Sequence, residues 1–219
     1  MTDRSDYRWL GPFAVTVVAL LALGLGWWLA VAISPGHKPV TIPADLSATV
    51  LTVPKPIDDF SLIDQDGRPF DLQRLKGHWT FLFFGYTHCP DVCPTTMAVL
   101  GQLAAQLAET PRGLDQTQFA LVSVDPARDT PAQLKRYVTY FGKDFLGVTG
   151  SEEAIAGLTR QLGVLYVRVP GTTDQNYTID HSAAILLIDP RGRLSAVFSA
   201  PHDAERMARD FLRIRDIRA

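Results

Sequence analysis

Phe84-Gly85-Tyr86-Thr87-His88-Cys89-Pro90-Asp91-Val92-Cys93-Pro94 is the stretch around which the chain is organised, and it holds the only two cysteines in the sequence. On its N-terminal side, Trp79 to Phe84 is aromatic or β-branched with one leucine and reads as a buried strand. On its C-terminal side, Thr95 to Leu107 repeats apolar side chains at helical spacing. Both thiols therefore lie where a strand hands over to a helix. Pro94 has no N–H and is tolerated only in a first turn, so the helix cannot begin before about Asp91. Cys93 then falls in the first turn or cap, with Cys89 just ahead of it. Unpaired N–H groups and the positive end of the helix dipole stabilise a thiolate there, so the spacing predicts thiol pKa values below the free value of about 8.5.

Upstream, Phe13 to Ile33 carries no charged residue and would span about 31 Å as a helix, the thickness of a bilayer core. Trp9 and the pair Trp27-Trp28 fit interfacial anchors. The rival reading is a cleaved signal peptide, for which Ala30-Val31-Ala32 resembles a cleavage site, but the run exceeds an ordinary signal core of about 7–15 residues. A core helix is disfavoured by two-sided apolarity. Arg4 and Arg8 before the span, against Lys38 and Lys55 after it, give a small positive-inside bias toward a cytoplasmic N-terminus. Asp3 and Asp6 argue against a mitochondrial presequence. The expected organisation is a cytoplasmic segment over 1–9, a transmembrane anchor over 10–33, a Pro-rich tether over 34–53 and a folded domain over 54–219. The expected location is a bacterial inner membrane, crossed once, with the domain in the oxidising periplasm, where a cysteine pair is disulfide-bonded, redox-active or metal-bound. A net charge of −2 with no basic run excludes nucleic-acid binding.

Downstream, Asp66-Gly67 marks a hairpin turn within Ile57 to Leu75, and Phe119 to Val124 reads as a second apolar strand. Thr130, Pro131 and Gln133 predict an N-cap, first helical residue and capping-box partner for a helix to Phe141. Ser151-Glu152-Glu153 opens a helix to about Leu162, and Leu165 to Val169 reads as a further strand. Ala184 to Ile188 and Leu194 to Phe198 form a hairpin about Asp189-Pro190-Arg191-Gly192. Asp203 to Ile217 reads as an amphipathic helix presenting Ala204, Met207, Ala208, Phe211 and Ile214. Strand, helix, strand, helix, hairpin, helix is α/β, with the first two main strands parallel because a helix joins them. A dithiol at the carboxyl end of such a strand lies where open α/β sheets bind ligands, and this is the thioredoxin-like arrangement.

Three blocks make a resemblance specific: Phe84 to Pro94 with C-x-x-x-C-P, Val122 to Thr130 reading V-S-V-D-P-A-R-D-T, and Tyr177 to Ser182 reading Y-T-I-D-H-S. With them the sequence resembles the Sco/SenC family over about Pro54 to Phe211. These are membrane-anchored, thioredoxin-like proteins that deliver copper during assembly of cytochrome c oxidase. The resemblance implies that Cys89, Cys93 and His181 are copper ligands and that copper, as Cu(I) or Cu(II), is the bound ion. It implies as partners the apo copper-bearing subunit of the oxidase and another copper carrier or a thioredoxin-like reductant.

The residue chemistry agrees. Thiolates are soft ligands suited to Cu(I), and imidazole binds copper in either oxidation state. The C-x-x-x-C spacing differs from the C-x-x-C of thioredoxin-type oxidoreductases. No proline follows the third block before Pro190, which leaves room for His181 where thioredoxins place a proline near the dithiol. Three competing roles stay open: a structural disulfide, a thiol–disulfide oxidoreductase keeping the oxidase cysteines reduced, with Cys89 attacking and Cys93 resolving, and a peroxidase. The leading reading is a carrier rather than an enzyme. Around it, Asp125 is a candidate for supporting a ligand or docking a partner, and His88 for tuning Cys89. Met97 reads as core, Asp91 as a loop or helix-start charge, and His37 and His202 as solvated.

Overall fold

The computed structural model describes residues 10–33, 42–173 and 176–218. The cytoplasmic segment expected over 1–9, much of the expected tether and His37 lie outside the described residues. The chain divides into two units, Met1–Thr41 and Ile42–Ala219. The first contains one helix, α1 (Leu10–Ile33). Among the described residues no helix is long and apolar enough to cross a membrane.

The second unit begins with β1 (Thr49–Pro56), a hairpin of β2 (Ser61–Asp64) and β3 (Pro69–Asp71), and a single turn, α2 (Leu72–Leu75). Then come β4 (Trp79–Gly85), α3 (Val92–Ala108), β5 (Thr117–Ser123), α4 (Pro131–Phe141), β6 (Leu146–Thr149) and α5 (Glu152–Leu162). It ends with β7 (Tyr166–Thr173), β8 (Asn176–His181), β9 (Ile185–Ile188), β10 (Arg193–Phe198) and α6 (Ala204–Arg218). Eight strands form one sheet in the order β1-β10-β9-β4-β5-β6-β2-β3, while β7 and β8 pair separately. As the connecting helices require, β4, β5 and β6 run parallel. The remaining pairings in the sheet are antiparallel.

All seven residues of β4 are buried, as expected for a central strand covered on both faces. Phe81 stacks on Phe119 at 5.1 Å and meets Phe211 of α6 edge-on at 5.0 Å. The face of α6 read from the sequence is buried in full, from Ala204 to Ile214. Gly67 and Gly192 take positive φ at the two hairpin turns, as their turn assignments need.

The structure departs from the sequence expectation at several points. β1 starts at Thr49, inside the segment read as tether. That segment packs because Ser47 donates from its backbone N–H to buried Asp210 at 2.7 Å and because Arg213 pairs with Asp45 at 2.8 Å, both from α6. These polar contacts leave no periodic signal in a Pro-rich stretch. The capping box after Thr130 is half made: Thr130 Oγ1 accepts from Gln133 N–H at 3.2 Å, but the Gln133 amide turns to Thr87 and Arg136. Neither β6, four residues long, nor β8 was predicted as a strand, and both are too short or too polar to announce themselves.

Candidate metal centre

β4 delivers the chain to the site, and α3 fixes it. With Asp91 at the N-cap position, Cys93 enters the first turn of α3 as the position of Pro94 required, and Cys89 lies one turn ahead. Cys93 N–H points at Cys89 Sγ at 3.4 Å. From the other side β8 ends at His181, whose Nε2 is 3.1 Å from Cys93 Sγ. Ligand atoms of Cys89, Cys93 and His181 all lie within 4.8 Å of one another, and both cysteines are reduced. The structure thus brings together the three residues singled out in the sequence. Cys89 and His181 line an open cleft of about 370 Å³ with Tyr86, Val92 and Ile179, and Cys93 lies buried beside it.

Several residues that sequence reasoning missed hold this geometry. A Cβ on Gly85 would lie 2.8 Å from Cys93 Sγ, so only glycine leaves the sulfur its place at the strand end. The His181 ring stands edge-on to Phe83 at 5.7 Å and to Tyr86 at 6.0 Å. Tyr86 also accepts the Ile179 N–H on its hydroxyl at 3.1 Å, tying β8 to the end of β4. The signal was available for Gly85, because a glycine closing an apolar strand beside two cysteines marks a close approach. No sequence signal pairs Tyr86 with Ile179.

The ring nitrogens of His181 have distinct roles. Nδ1 is 3.0 Å from the Ser182 carbonyl, which can only accept, so Nδ1 carries the proton and Nε2 of the neutral ring offers its lone pair toward Cys93 Sγ. Burial lowers the His181 pKa and favours that neutral form, against the backbone contact to Ser182, which raises it. For Cys93 the expected depression is overturned. Burial pushes its thiol well above the ordinary range, because a fully covered sulfur loses more by desolvation than the helix terminus returns. In this state Cys93 is a thiol whose proton faces His181 Nε2. A soft metal ion could replace that proton.

A second cluster, His88, Asp125 and Asp129, also brings its ligand atoms within 4.8 Å of one another. Its carboxylates are already occupied. Asp129 accepts from Thr87 N–H at 3.0 Å, Thr87 Oγ1 at 2.6 Å and Ser123 Oγ at 2.6 Å, with His88 Nδ1 3.6 Å away. Asp125 accepts from Tyr177 Oη at 2.6 Å and from the Arg128 guanidinium. The Tyr177 ring lies between Arg128 and Arg168, each 3.6 Å from its centroid. Asp125 therefore braces the hairpin that carries His181, and His88 bonds toward Thr87 and Asp129. Met97 is buried core, as read. Asp91 is exposed and makes no side-chain capping bond. His202 departs from its expected solvation: it is half-buried, with Nε2 2.8 Å from the Ala183 carbonyl.

The SCO1/SenC family profile matches residues 52–215. A proposed copper-binding protein of Stutzerimonas stutzeri is 42% identical over 157 residues, covering 70% of this chain and 75% of its own. The mitochondrial SCO2 homologue of Bos taurus is 43% identical over 149 residues, 68% of this chain and 56% of its own length. Among solved structures, Arabidopsis thaliana ScoI with copper bound aligns with a TM-score of 0.68 at 32% identity, over 73% of this chain and 97% of its own. That match carries the thioredoxin-like α/β assignment of the folded domain. The chain belongs to the SCO1/SenC family.

Proposed function

We propose that this protein is a copper carrier that takes the ion between Cys89 Sγ, Cys93 Sγ and His181 Nε2 and passes it, by ligand exchange, to the copper centre of cytochrome c oxidase during its assembly. The observation that carries the reading is the convergence of two thiols and an imidazole nitrogen within 4.8 Å of one another, beside an open cleft that Cys89 and His181 line. Two thiolates and a neutral imidazole would leave Cu(II) neutral and Cu(I) at −1, charges tolerable at a half-exposed position. The donors suit a copper ion as cargo: thiolates favour Cu(I), and the imidazole makes the set acceptable to Cu(II). Cys89, the more exposed sulfur, is the entry ligand. Relatives with copper bound support the same assignment.

The test is copper binding by the reduced full chain and by its variants. His181→Ala should leave the fold and the Cys89–Cys93 disulfide chemistry intact, weaken Cu(II) binding strongly and Cu(I) binding less, since two thiolates alone can hold Cu(I). Oxidase assembly at limiting copper should fail. Full assembly in His181→Ala beside failed assembly in Cys89→Ser would sink the carrier reading. It would leave the second one, a thiol–disulfide oxidoreductase, which the exposure of Cys89 over a fully buried Cys93 also fits.

We further propose that α1 anchors the chain in a bacterial inner membrane with the folded domain in the periplasm, on the strength of the uncharged run from Phe13 to Ile33. A periplasm-active reporter fused after Ala219 should be active and membrane-bound. A shortened, soluble product would mean cleavage near Ala32 instead.

A further inference from the structure

At the opposite end of β4 from the cysteines, about 20 Å along the strand, Trp79 forms the wall of a cavity of about 350 Å³ lined by five arginines and two aspartates. The arginines come from three separate places: Arg112 from the loop after α3, Arg191 from the β9–β10 turn with Arg193 at the start of β10, and Arg215 and Arg218 from the last turn of α6. A helix C-terminus favours basic residues, which accounts for the α6 pair alone. It does not account for three further guanidiniums brought there by two loops and the start of β10.

Their bonding shows how much of this charge is used. Arg193 pairs with buried Asp189, Nη2 to Oδ2 at 2.7 Å. Arg215 Nη1 donates to the Arg112 carbonyl at 2.6 Å, and Arg218 Nη2 to the Leu51 carbonyl, so both are held in place by neutral acceptors. Arg218 Nε is buried with no hydrogen-bond partner. Arg112 and Arg191 are exposed, and among the described residues neither makes an ion pair. Burial, and then the nearby Arg193, lower the Arg218 pKa, while Asp189 raises it. Planar guanidinium forks on several sides of a small cavity match the oxygen geometry of a phosphate group.

We propose that this cavity binds a phosphate-type oxyanion, with Arg215 and Arg218 preset on its floor and Arg112 and Arg191 closing over the ligand. Soluble phosphate and the headgroup of an anionic phospholipid share this chemistry. The site is remote from the copper ligands and is independent of the copper reading.

The test uses the reduced full chain in neutral detergent, with melting temperature read against inorganic phosphate, dihexanoyl phosphatidylglycerol and dihexanoyl phosphatidylcholine, chloride matching the ionic strength. Saturable stabilisation of about 3 °C is expected from phosphate, from the phosphatidylglycerol, or from both, and not from the zwitterionic lipid. Phosphate alone identifies a soluble ligand, and phosphatidylglycerol alone a membrane headgroup. Arg112→Gln with Arg191→Gln, both at exposed positions, should weaken that binding at least about tenfold while copper stoichiometry is unchanged. Removing equal charge elsewhere, by Arg160→Gln with Arg209→Gln, should leave it intact. No saturable stabilisation by either anion, or equal stabilisation of the Arg112→Gln, Arg191→Gln protein, would overturn the proposal.

Discussion

The parallel strands β4 and β5 end side by side, and each leads into a cluster of three side chains of metal-binding type, yet the two clusters are opposites. After β4, Cys89, Cys93 and His181 meet with their ligand atoms within 4.8 Å of one another, beside an open cleft that Cys89 and His181 line. After β5, Asp125 and Asp129 meet His88 with their carboxylates filled by a tyrosine, a serine, a threonine, a backbone N–H and an arginine. Ligand types within reach of one another do not make a metal site. Donors that meet chiefly one another, through contacts an ion can replace, do, and the committed cluster next door supplies the rigidity that keeps them in place.

The sharpest way to break this contrast is to remove one member from each cluster. Cys93→Ser should lower copper affinity well beyond the roughly 10–100-fold of an outer-shell change, with little loss of fold. Asp129→Asn should do the reverse. Leaving three buried donors around a neutral amide should cost about 2–3 kcal/mol of stability, seen as a lower denaturant midpoint, with copper stoichiometry retained. Loss of copper from a still-folded Asp129→Asn protein would show that the second cluster holds metal after all.

A smaller effect follows from proton accounting. Burial keeps Cys93 a thiol at neutral pH, and copper takes a thiolate, so binding must release that proton. Burial also favours neutral His181, so imidazole contributes little proton release near neutrality. Copper affinity should therefore rise with pH by about tenfold per unit from Cys93 alone between pH 6.5 and 8. The check is a competition titration with a pH-corrected chelator. A flat profile would mean that Cys93 is already ionised and that the helix terminus outweighs burial.

That correction shows where the sequence was legible. The proline after Cys93 and the apolar run before Cys89 fixed the strand-to-helix corner, because Pro94 and the all-buried β4 obey local rules. The three ligands were legible through their blocks. What local pattern could not supply was environment: how deeply Cys93 is covered, or that Asp129 is consumed by three donors. It also could not supply β8, a polar strand that pairs with β7 in a local hairpin but is tied to the end of β4 by the bond from Ile179 N–H to Tyr86, distant in sequence. The arginine cavity was equally invisible, since its members are spread from Arg112 to Arg218.

The smallest effect expected is also the most local test of how the two clusters differ. Tyr86→Phe deletes the buried hydroxyl that accepts the Ile179 N–H and strands that donor, costing about 1–2 kcal/mol and lowering the melting temperature by about 4 °C. Ile179 and His181 are alternate residues of β8, so loosening one frees the other. Copper affinity should fall by about tenfold, the low end for a supporting residue. Tyr177→Phe removes a hydroxyl of the committed cluster from the same strand, but Asp125 keeps Arg128, so copper affinity should change less than threefold. The two variants should therefore separate in chelator competition even where their melting temperatures coincide. Equal losses of copper affinity would mean that β8 transmits both bonds to His181 alike and that the two strand ends work as one mechanical unit.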